Sequence, residues 1–277
     1  MSKGVLVDLT KCVGCGSCTV ACKMYNARSW IDDRAPSAGP SALLADENWT
    51  VVRKVTVDRD GGTPAWRFVK QQCLHCEQPA CASACFARAL QKTADGPVVY
   101  YPNLCVGCRY CMVACPFDIP KYEWGRSLPL VTKCMMCASR IAEGQRPACV
   151  SVCPTGAMTF GDRGALLEQA HATISGDDTY VKHIYGEKEA GGTSWIYISD
   201  VDFGKIGFKT GVTEKPLPSY TEKYTHLTPV VGGAWGLVLA GLYVFNKRKK
   251  TVSKRDADAR TTAGTGEGDG TGTGDRP

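Results

Sequence analysis

Sixteen cysteines in 277 residues fall into four sets of four with none left over: Cys12, Cys15, Cys18 and Cys22; Cys73, Cys76, Cys81 and Cys85; Cys105, Cys108, Cys111 and Cys115; Cys134, Cys137, Cys149 and Cys153. Thiols this dense can pair as disulfides, hold zinc or ligate iron–sulfur clusters. Disulfides suit short secreted chains, and thiols two residues apart in a tight loop make poor bridging partners. Zinc is the competing reading, since paired C-x2-C units build four-thiolate structural sites. A zinc ribbon, however, takes two separated pairs per metal, whereas CVGCGSC and CVGCRYC each offer three thiols on one loop.

Three thiolates at x2, x2 spacing can cap three irons of one cubane. A fourth cysteine after three more residues opens a helix, and in two-cluster ferredoxins it serves the neighbouring cluster. Cys105 to Pro116 fits that C-x2-C-x2-C-x3-C-P pattern position by position. Cys73 to Cys85 runs x2, x4, x3; Cys134 to Cys153 runs x2, x11, x3 and ends in proline; Cys12 to Cys22 keeps the ferredoxin spacing with Lys23 in place of proline.

The crossover rule predicts four ligand sets: Cys12, Cys15, Cys18 with Cys153; Cys134, Cys137, Cys149 with Cys22; Cys73, Cys76, Cys81 with Cys115; and Cys105, Cys108, Cys111 with Cys85. Gly14, Gly16 and Gly107 suit loops whose N–H groups turn inward onto anionic sulfur. Lys11 and Lys133 directly precede first ligands and Lys70 lies three residues before Cys73; each can raise a cluster potential, though solvated surface lysines are the simpler reading. His75, inside CLHC, reads as a neighbour of the ligands at most. His171 and His183 lack metal-ligating company and read as structural.

These loops need elements to deliver them. GVLVDLTKC and PVVYYPNLC read as strands entering cluster loops, and GAMTFG as a return strand. Together they predict an α+β fold of two ferredoxin-like 4Fe-4S units: an inner one over Cys73–Pro120, and an outer one from the first and fourth groups. The arrangement is pseudo-twofold, with the clusters in a row. The domain spans 1–165 with an insertion at 23–72, where APSAGPSALLADENW is loop-like and WTVVRKVTV alternates as one of a strand pair, read as a docking surface. Residues 166–226 extend the soluble domain, with RGALLEQAHATI helical.

Leu227 to Phe245 is 19 residues without a charge. As a helix it spans about 28 Å, close to the roughly 30 Å of a bilayer core. Thr228 is placed to cap it and Pro229 to open its first turn. Gly232 and Gly236 form a weak small-xxx-small pair.

The net charge of +6 is largely local: KRKKTVSKR, Lys247 to Arg255, carries six basic side chains. That argues against a nucleic-acid partner. By the positive-inside rule it puts the tail 246–277 in the cytoplasm and the cluster domain across the membrane. TTAGTGEGDGTGTGDRP reads as low-complexity and disordered. MSKGVLVDLTKC leaves no room for an export signal before the first ligand. No Gly-rich dinucleotide or phosphate loop is present and no cysteine is spare, so no catalytic residue is assigned.

KQQCLHC, GCRYCMVACPFDIPKY, KCMMC, GQRPACVSVCPTGAMTFG and HIYGEKEAGGT carry a resemblance spanning most of residues 1 to 200. The sequence resembles the four-cluster iron–sulfur subunits of respiratory oxidoreductases. In particular it is similar to the beta subunit of membrane-bound formate dehydrogenase and the membrane-anchored electron-transfer subunit of uptake NiFe hydrogenase. Some members replace one cysteine of the third group and hold a three-iron cluster; here Cys105, Cys108, Cys111 and Cys115 are all present, so the resemblance implies four 4Fe-4S clusters.

It also implies a large catalytic partner of molybdopterin or NiFe type and a cytochrome b or other quinone-reactive subunit in the inner membrane. The setting would be anaerobic respiration. The hydrogenase type usually carries its own twin-arginine signal, so the resemblance favours the formate dehydrogenase type. A subunit of another quinone-linked complex, a stand-alone polyferredoxin carrier and a zinc module are the alternatives.

Overall fold

The computed structural model describes residues 2–30, 36–58 and 64–263. From the N-terminus the chain forms β1 (Lys3–Asp8), α1 (Ser17–Tyr25), β2 (Ala38–Gly39), β3 (Thr50–Asp58), β4 (Pro64–Gln72), α2 (Ala80–Ser83), β5 (Leu90–Lys92), β6 (Val98–Tyr100) and α3 (Tyr110–Ala114). There follow β7 (Lys121–Tyr122), β8 (Val131–Thr132), α4 (Ala138–Ala142), α5 (Ala148–Ser151), β9 (Met158–Asp162), α6 (Arg163–Gly176), β10 (Trp195–Ile198) and α7 (Pro218–Ala263). The fold is mixed α and β, and α7 is long and apolar enough to cross a membrane.

β1 is the middle strand of a three-stranded sheet. β9 pairs antiparallel to it from Lys3↔Asp162 to Val7↔Met158, and β10 parallel from Val5↔Trp195 to Asp8↔Ile198. Val5, Leu6, Val7 and Leu9 put apolar side chains on both parities because both faces are covered, with Asp8 turned to Lys11 and Tyr180. Val5, Val7 and Leu9 pack with Trp195, Tyr197, Met158 and Val150 toward the cysteine loops. Leu6 faces the other way, onto Leu166, Ala170 and Ile174 of α6 and Ile184, Ile196 and Ile198. The i, i+4, i+8 spacing of the three α6 residues makes one buried stripe, so α6 forms as the sequence predicts.

The predicted insertion holds a strand pair, β3 and β4 antiparallel from Thr50↔Gln72 to Asp58↔Pro64, with β2 added parallel to β3. Val51, Val52 and Val69 are almost wholly buried, so the hairpin is part of the core and not only an appended surface. Two smaller hairpins, β5–β6 and β7–β8, flank the second and third cysteine groups.

Four short helices carry cysteines: Cys18 and Cys22 on α1, Cys81 on α2, Cys111 on α3 and Cys149 on α5. α1 packs against α5 and α2 against α3, which brings the first group to the fourth and the second to the third.

The first compact unit of the chain extends to Tyr220 and the second begins at Thr221. The second is formed by the greater part of α7, a 46-residue helix about 69 Å long. Its start departs from expectation. The helix opens at Pro218, so Pro229 lies inside it, and Thr228 returns its hydroxyl to the Tyr224 carbonyl (2.8 Å) instead of capping. The polar stretch Ser219 to His226 continues the helix upstream, and Pro229, which lacks an N–H and crowds the Thr225 carbonyl, is tolerated as prolines are in membrane-type helices. α7 also runs three residues into the expected low-complexity tail; positions 264–277 lie outside the described residues.

Candidate metal centres

The structure gathers the cysteines by crossing between motifs. Cys12, Cys15 and Cys18 line one cavity together with Cys153, closed by Val7, Val52, Ala157 and Met158. Cys134, Cys137 and Cys149 line a second with Cys22. Cys105, Cys108 and Cys111 line a third with Cys85, beside Leu90 and Tyr100. The remaining four are grouped by contact and charge: Cys73 and Cys115 share an apolar cluster with Ile119, and the charges felt by the Cys76 thiol are led by Cys73, Cys115 and Cys81.

The crossing follows from local geometry. In each motif the third and fourth cysteines are four residues apart, astride a single helical turn, so the fourth points past the cavity its neighbours line. The packing of α1 on α5 and α2 on α3 then supplies the recipient set.

The four sets are also neighbours in order. Cys18 of the first set faces Cys149 of the second. Cys134 of the second packs with Cys73 and Cys115 of the third. Cys81 of the third packs with Cys111 of the fourth. Cys15 in the first set and Cys108 in the fourth are exposed, whereas the second set is entirely buried.

One loop conformation recurs four times. The second residue after each leading cysteine has positive φ: Gly14 at 71°, His75 at 51°, Gly107 at 71° and Met136 at 53°. Only two of the four are glycine, so two loops hold an L-residue in a conformation costing about 1–2 kcal/mol. The turn points N–H groups at sulfur: Gly107 donates to Cys105 Sγ at 3.4 Å and Met136 to Cys134 Sγ at 3.3 Å. Ala89 N–H donates to Cys85 Sγ at 3.2 Å and Asn26 Nδ2 to Cys22 Sγ at 3.5 Å. Donors aimed at sulfur favour the thiolate and therefore a bound cation.

Burial works in the opposite sense. It pushes the thiols of Cys18 and Cys111 up to about 11 and those of Cys22 and Cys81 up to about 12, with neighbouring sulfurs adding to the shift and a lysine opposing it at Cys18, Cys22 and Cys81. Cys134 is raised well above the ordinary thiol value for the same reason. Four crowded, desolvated thiols with N–H donors facing them form a donor set that becomes thiolate when soft cations arrive. Among the described residues no three His, Cys, Asp or Glu side chains form a single-ion site. The sulfurs ring volumes instead, which fits a multi-atom iron–sulfur cubane.

Two of the three lysines depart from the sequence reading. Lys11 is exposed and pairs with Asp8 at 3.0 Å, as a surface lysine should. Lys70 and Lys133 are only 2% and 3% exposed. Lys133 donates to the carbonyls of Val98 and Cys134. Lys70 donates to Thr50 Oγ1 at 2.8 Å and Gln72 Oε1 at 2.6 Å and lies 4.5 Å over the Trp195 ring. Burial opposes its charge, but the thiols of Cys149, Cys18, Cys134 and Cys22 outweigh that and hold its pKa above the ordinary lysine value. The signal available in the sequence was strand parity: Lys70 and Gln72 share the inward face of β4.

His75 is fully buried and its Nδ1 accepts the Val98 N–H at 2.8 Å. Burial, Lys133 and Lys92 keep it neutral. His171 and His183 pair with Glu187 and Glu189, each at 2.8 Å, in the structural role expected.

Residues 11–89 and residues 64–163 each match a 4Fe-4S dicluster domain. The formate dehydrogenase-O iron–sulfur subunit of Escherichia coli K12 is 34% identical over 226 residues, covering 79% of this chain and 73% of that subunit. The chain belongs to this family of 4Fe-4S iron–sulfur subunits. A second member, the hydrogenase-2 operon protein HybA of Escherichia coli O157:H7, is 33% identical over 240 residues, 74% of this chain and 72% of HybA. A protein of Nitratidesulfovibrio vulgaris is 42% identical over 261 residues, 92% of this chain and 70% of that protein. Family membership and the two dicluster domains account for the cysteine pattern as iron–sulfur ligation.

Proposed function

We propose that the chain is the electron-transfer subunit of a membrane-bound respiratory oxidoreductase complex and binds four 4Fe-4S clusters. The carrying observation is that all sixteen cysteines fall into four sets built across motifs, each from the first three thiols of one motif and the last thiol of its partner motif. The sets are Cys12, Cys15, Cys18, Cys153; Cys22, Cys134, Cys137, Cys149; Cys73, Cys76, Cys81, Cys115; and Cys85, Cys105, Cys108, Cys111.

Bound clusters of this type supply one-electron acceptance and release. The protein's own work is to hold the thiolates, donate N–H groups to sulfur and exclude water. Cavities lined by Val7, Val52, Met158, Leu90 and Val131 keep the sites dry. The adjacency of the sets supports a single row, with the exposed Cys15 and Cys108 at its two ends. Exposed Phe86, Val106, Tyr110 and Val113 around the Cys108 end suit a protein partner. We read the two dicluster units as related by a pseudo-twofold axis, the cluster domain as residues 1–165, 166–226 as its C-terminal extension, and 227–245 as the membrane span.

Electrons would pass from a catalytic subunit, of formate dehydrogenase type before uptake hydrogenase type, to a quinone-reducing membrane subunit such as a cytochrome b. The basic run Lys247–Arg255 supports an inner-membrane anchor with its tail in the cytoplasm and the cluster domain on the periplasmic side.

Metal analysis of the complex purified from its native membrane tests the reading. Molybdenum or tungsten with formate-dependent reduction of the clusters supports the first type, and nickel with hydrogen-dependent reduction the second. A chain extracted alone, without detergent, into the soluble fraction contradicts both and returns the carrier.

A further inference from the structure

Among the described residues, Lys70 is the one side chain that lines both the cavity of Cys12, Cys15, Cys18 and Cys153 and that of Cys22, Cys134, Cys137 and Cys149. Its ammonium is held from three sides. The Thr50 hydroxyl and the Gln72 amide oxygen accept its hydrogen bonds, and the Trp195 ring lies beneath it. All three partners are neutral, and among the described residues no carboxylate lies within ion-pair distance of it. Gln72 is itself fixed by donating to Tyr197 Oη at 2.5 Å. A lysine carries a long, flexible stem, and pinning its head inside a core costs side-chain entropy and desolvation. The fold meets both costs at one point, between two thiol sets.

We propose that Lys70 is a shared cation that raises the reduction potentials of the first and second cluster sites together. The inference rests on the four-cluster reading above. An electron arriving on either side adds one negative charge near a fixed positive one. At an effective dielectric of about 20, unit charges about 10 Å apart shift a one-electron equilibrium by roughly tenfold or more. Neutral anchors matter here, because a carboxylate at Thr50 or Gln72 would cancel the field that a neutral oxygen leaves intact. Lys70 touches no substrate; it is a positioning residue of charge, acting through space on two redox sites.

The test is a potentiometric titration, followed by electron paramagnetic resonance, of the intact complex carrying Lys70→Met, Lys70→Arg or Gln72→Glu. Signals are assigned beforehand to the two sites with Cys12→Ser and Cys149→Ser. Lys70→Met should lower both assigned potentials by about tenfold in reduction equilibrium, ~59 mV each for one electron, and leave the other two sites much less affected. Lys70→Arg should restore both. Should Lys70→Met fail to assemble, Gln72→Glu, which keeps the lysine but neutralises it, should lower the same pair.

Unchanged potentials, a shift at only one site, or an equal shift at all four sites would overturn the proposal. So would an arginine variant that behaves like methionine, which would assign Lys70 to packing alone. The four-cluster reading fails separately, if the unsubstituted protein holds fewer than four clusters.

Discussion

The ring of Phe68 lies so close over Gly14 that a β-carbon on the glycine would overlap Phe68 Cδ1, Cε1 and Cγ. One residue belongs to β4 of the insertion, the other to the first cysteine loop, so the insertion is the lid of the first site. Gly14→Ala therefore combines a positive-φ cost of about 1–2 kcal/mol with a clash against a ring. Iron content should fall by about one cluster, and Phe68→Ala in the same chain should restore part of it. Gly107 holds the same loop position, but its added carbon meets only Tyr122 Oη at 3.2 Å, so Gly107→Ala should keep its cluster. Equal iron loss from both single variants would refute the lid.

Cys115 tests the crossing of ligands. It follows the third motif in sequence, yet its thiol feels Cys73 first among neighbouring charges. Cys115→Ser should alter the spectrum of the site held by Cys73, Cys76 and Cys81 and leave that of Cys105, Cys108 and Cys111 intact. Spectra recorded on the reduced variant decide it, and loss of the latter signal is the contrary result.

Arg67 on β4 grips Asp200, just beyond β10, through two parallel hydrogen bonds, the Nε one at 2.7 Å. The pair ties the insertion to the outer strand of the main sheet, and both side chains are largely shielded, at 16% and 5% exposed. Removing Asp200 leaves the Arg67 guanidinium with the neutral Trp66 carbonyl and, among the described residues, no carboxylate partner. Asp200→Ala should cost about 3 kcal/mol and lower the thermal midpoint, with the double variant Arg67→Met, Asp200→Ala less destabilised than the two single costs combined. Additive losses in a calorimetric double-mutant cycle would remove the pair from the list of clamps.

The chain cut after Tyr220 keeps every cysteine and the whole first unit. It should load as much iron as the full chain and move from the membrane pellet to the soluble fraction. Sidedness has its own assay: protease added outside intact spheroplasts should reach the cluster domain and spare the tail after Lys247. Cleavage of the tail alone would reverse the topology.

Much of the site was legible because cysteine spacing is local chemistry. Three residues separate the third and fourth thiols by about one helical turn, and three of the cavities are lined across motifs as that spacing leads one to expect. The strands at Gly4, Val98 and Met158 were legible as short apolar, β-branched or aromatic runs beside the cysteine loops. What the sequence hid was set by distant partners.

Trp195–Ile198 carries no obvious strand signal beyond its apolar run, and becomes a strand because β1, nearly two hundred residues earlier, offers an open edge. Lys70 reads as solvated until Thr50 and Trp195 close over it. His75 and Met136 adopt the glycine conformation of their sister loops because tertiary packing overrides the backbone preference. Helix α7 begins before Pro229 even though the proline denies the Thr225 carbonyl its helical donor, a loss that membrane-type helices tolerate.

Iron and acid-labile sulfide, measured on the anaerobically purified full chain together with its reduced-state paramagnetic spectrum, test the central claim most directly. The account predicts about sixteen of each per chain and the signals of interacting 4Fe-4S clusters. About four zinc ions and no paramagnetic signal, or iron near eight, would contradict it.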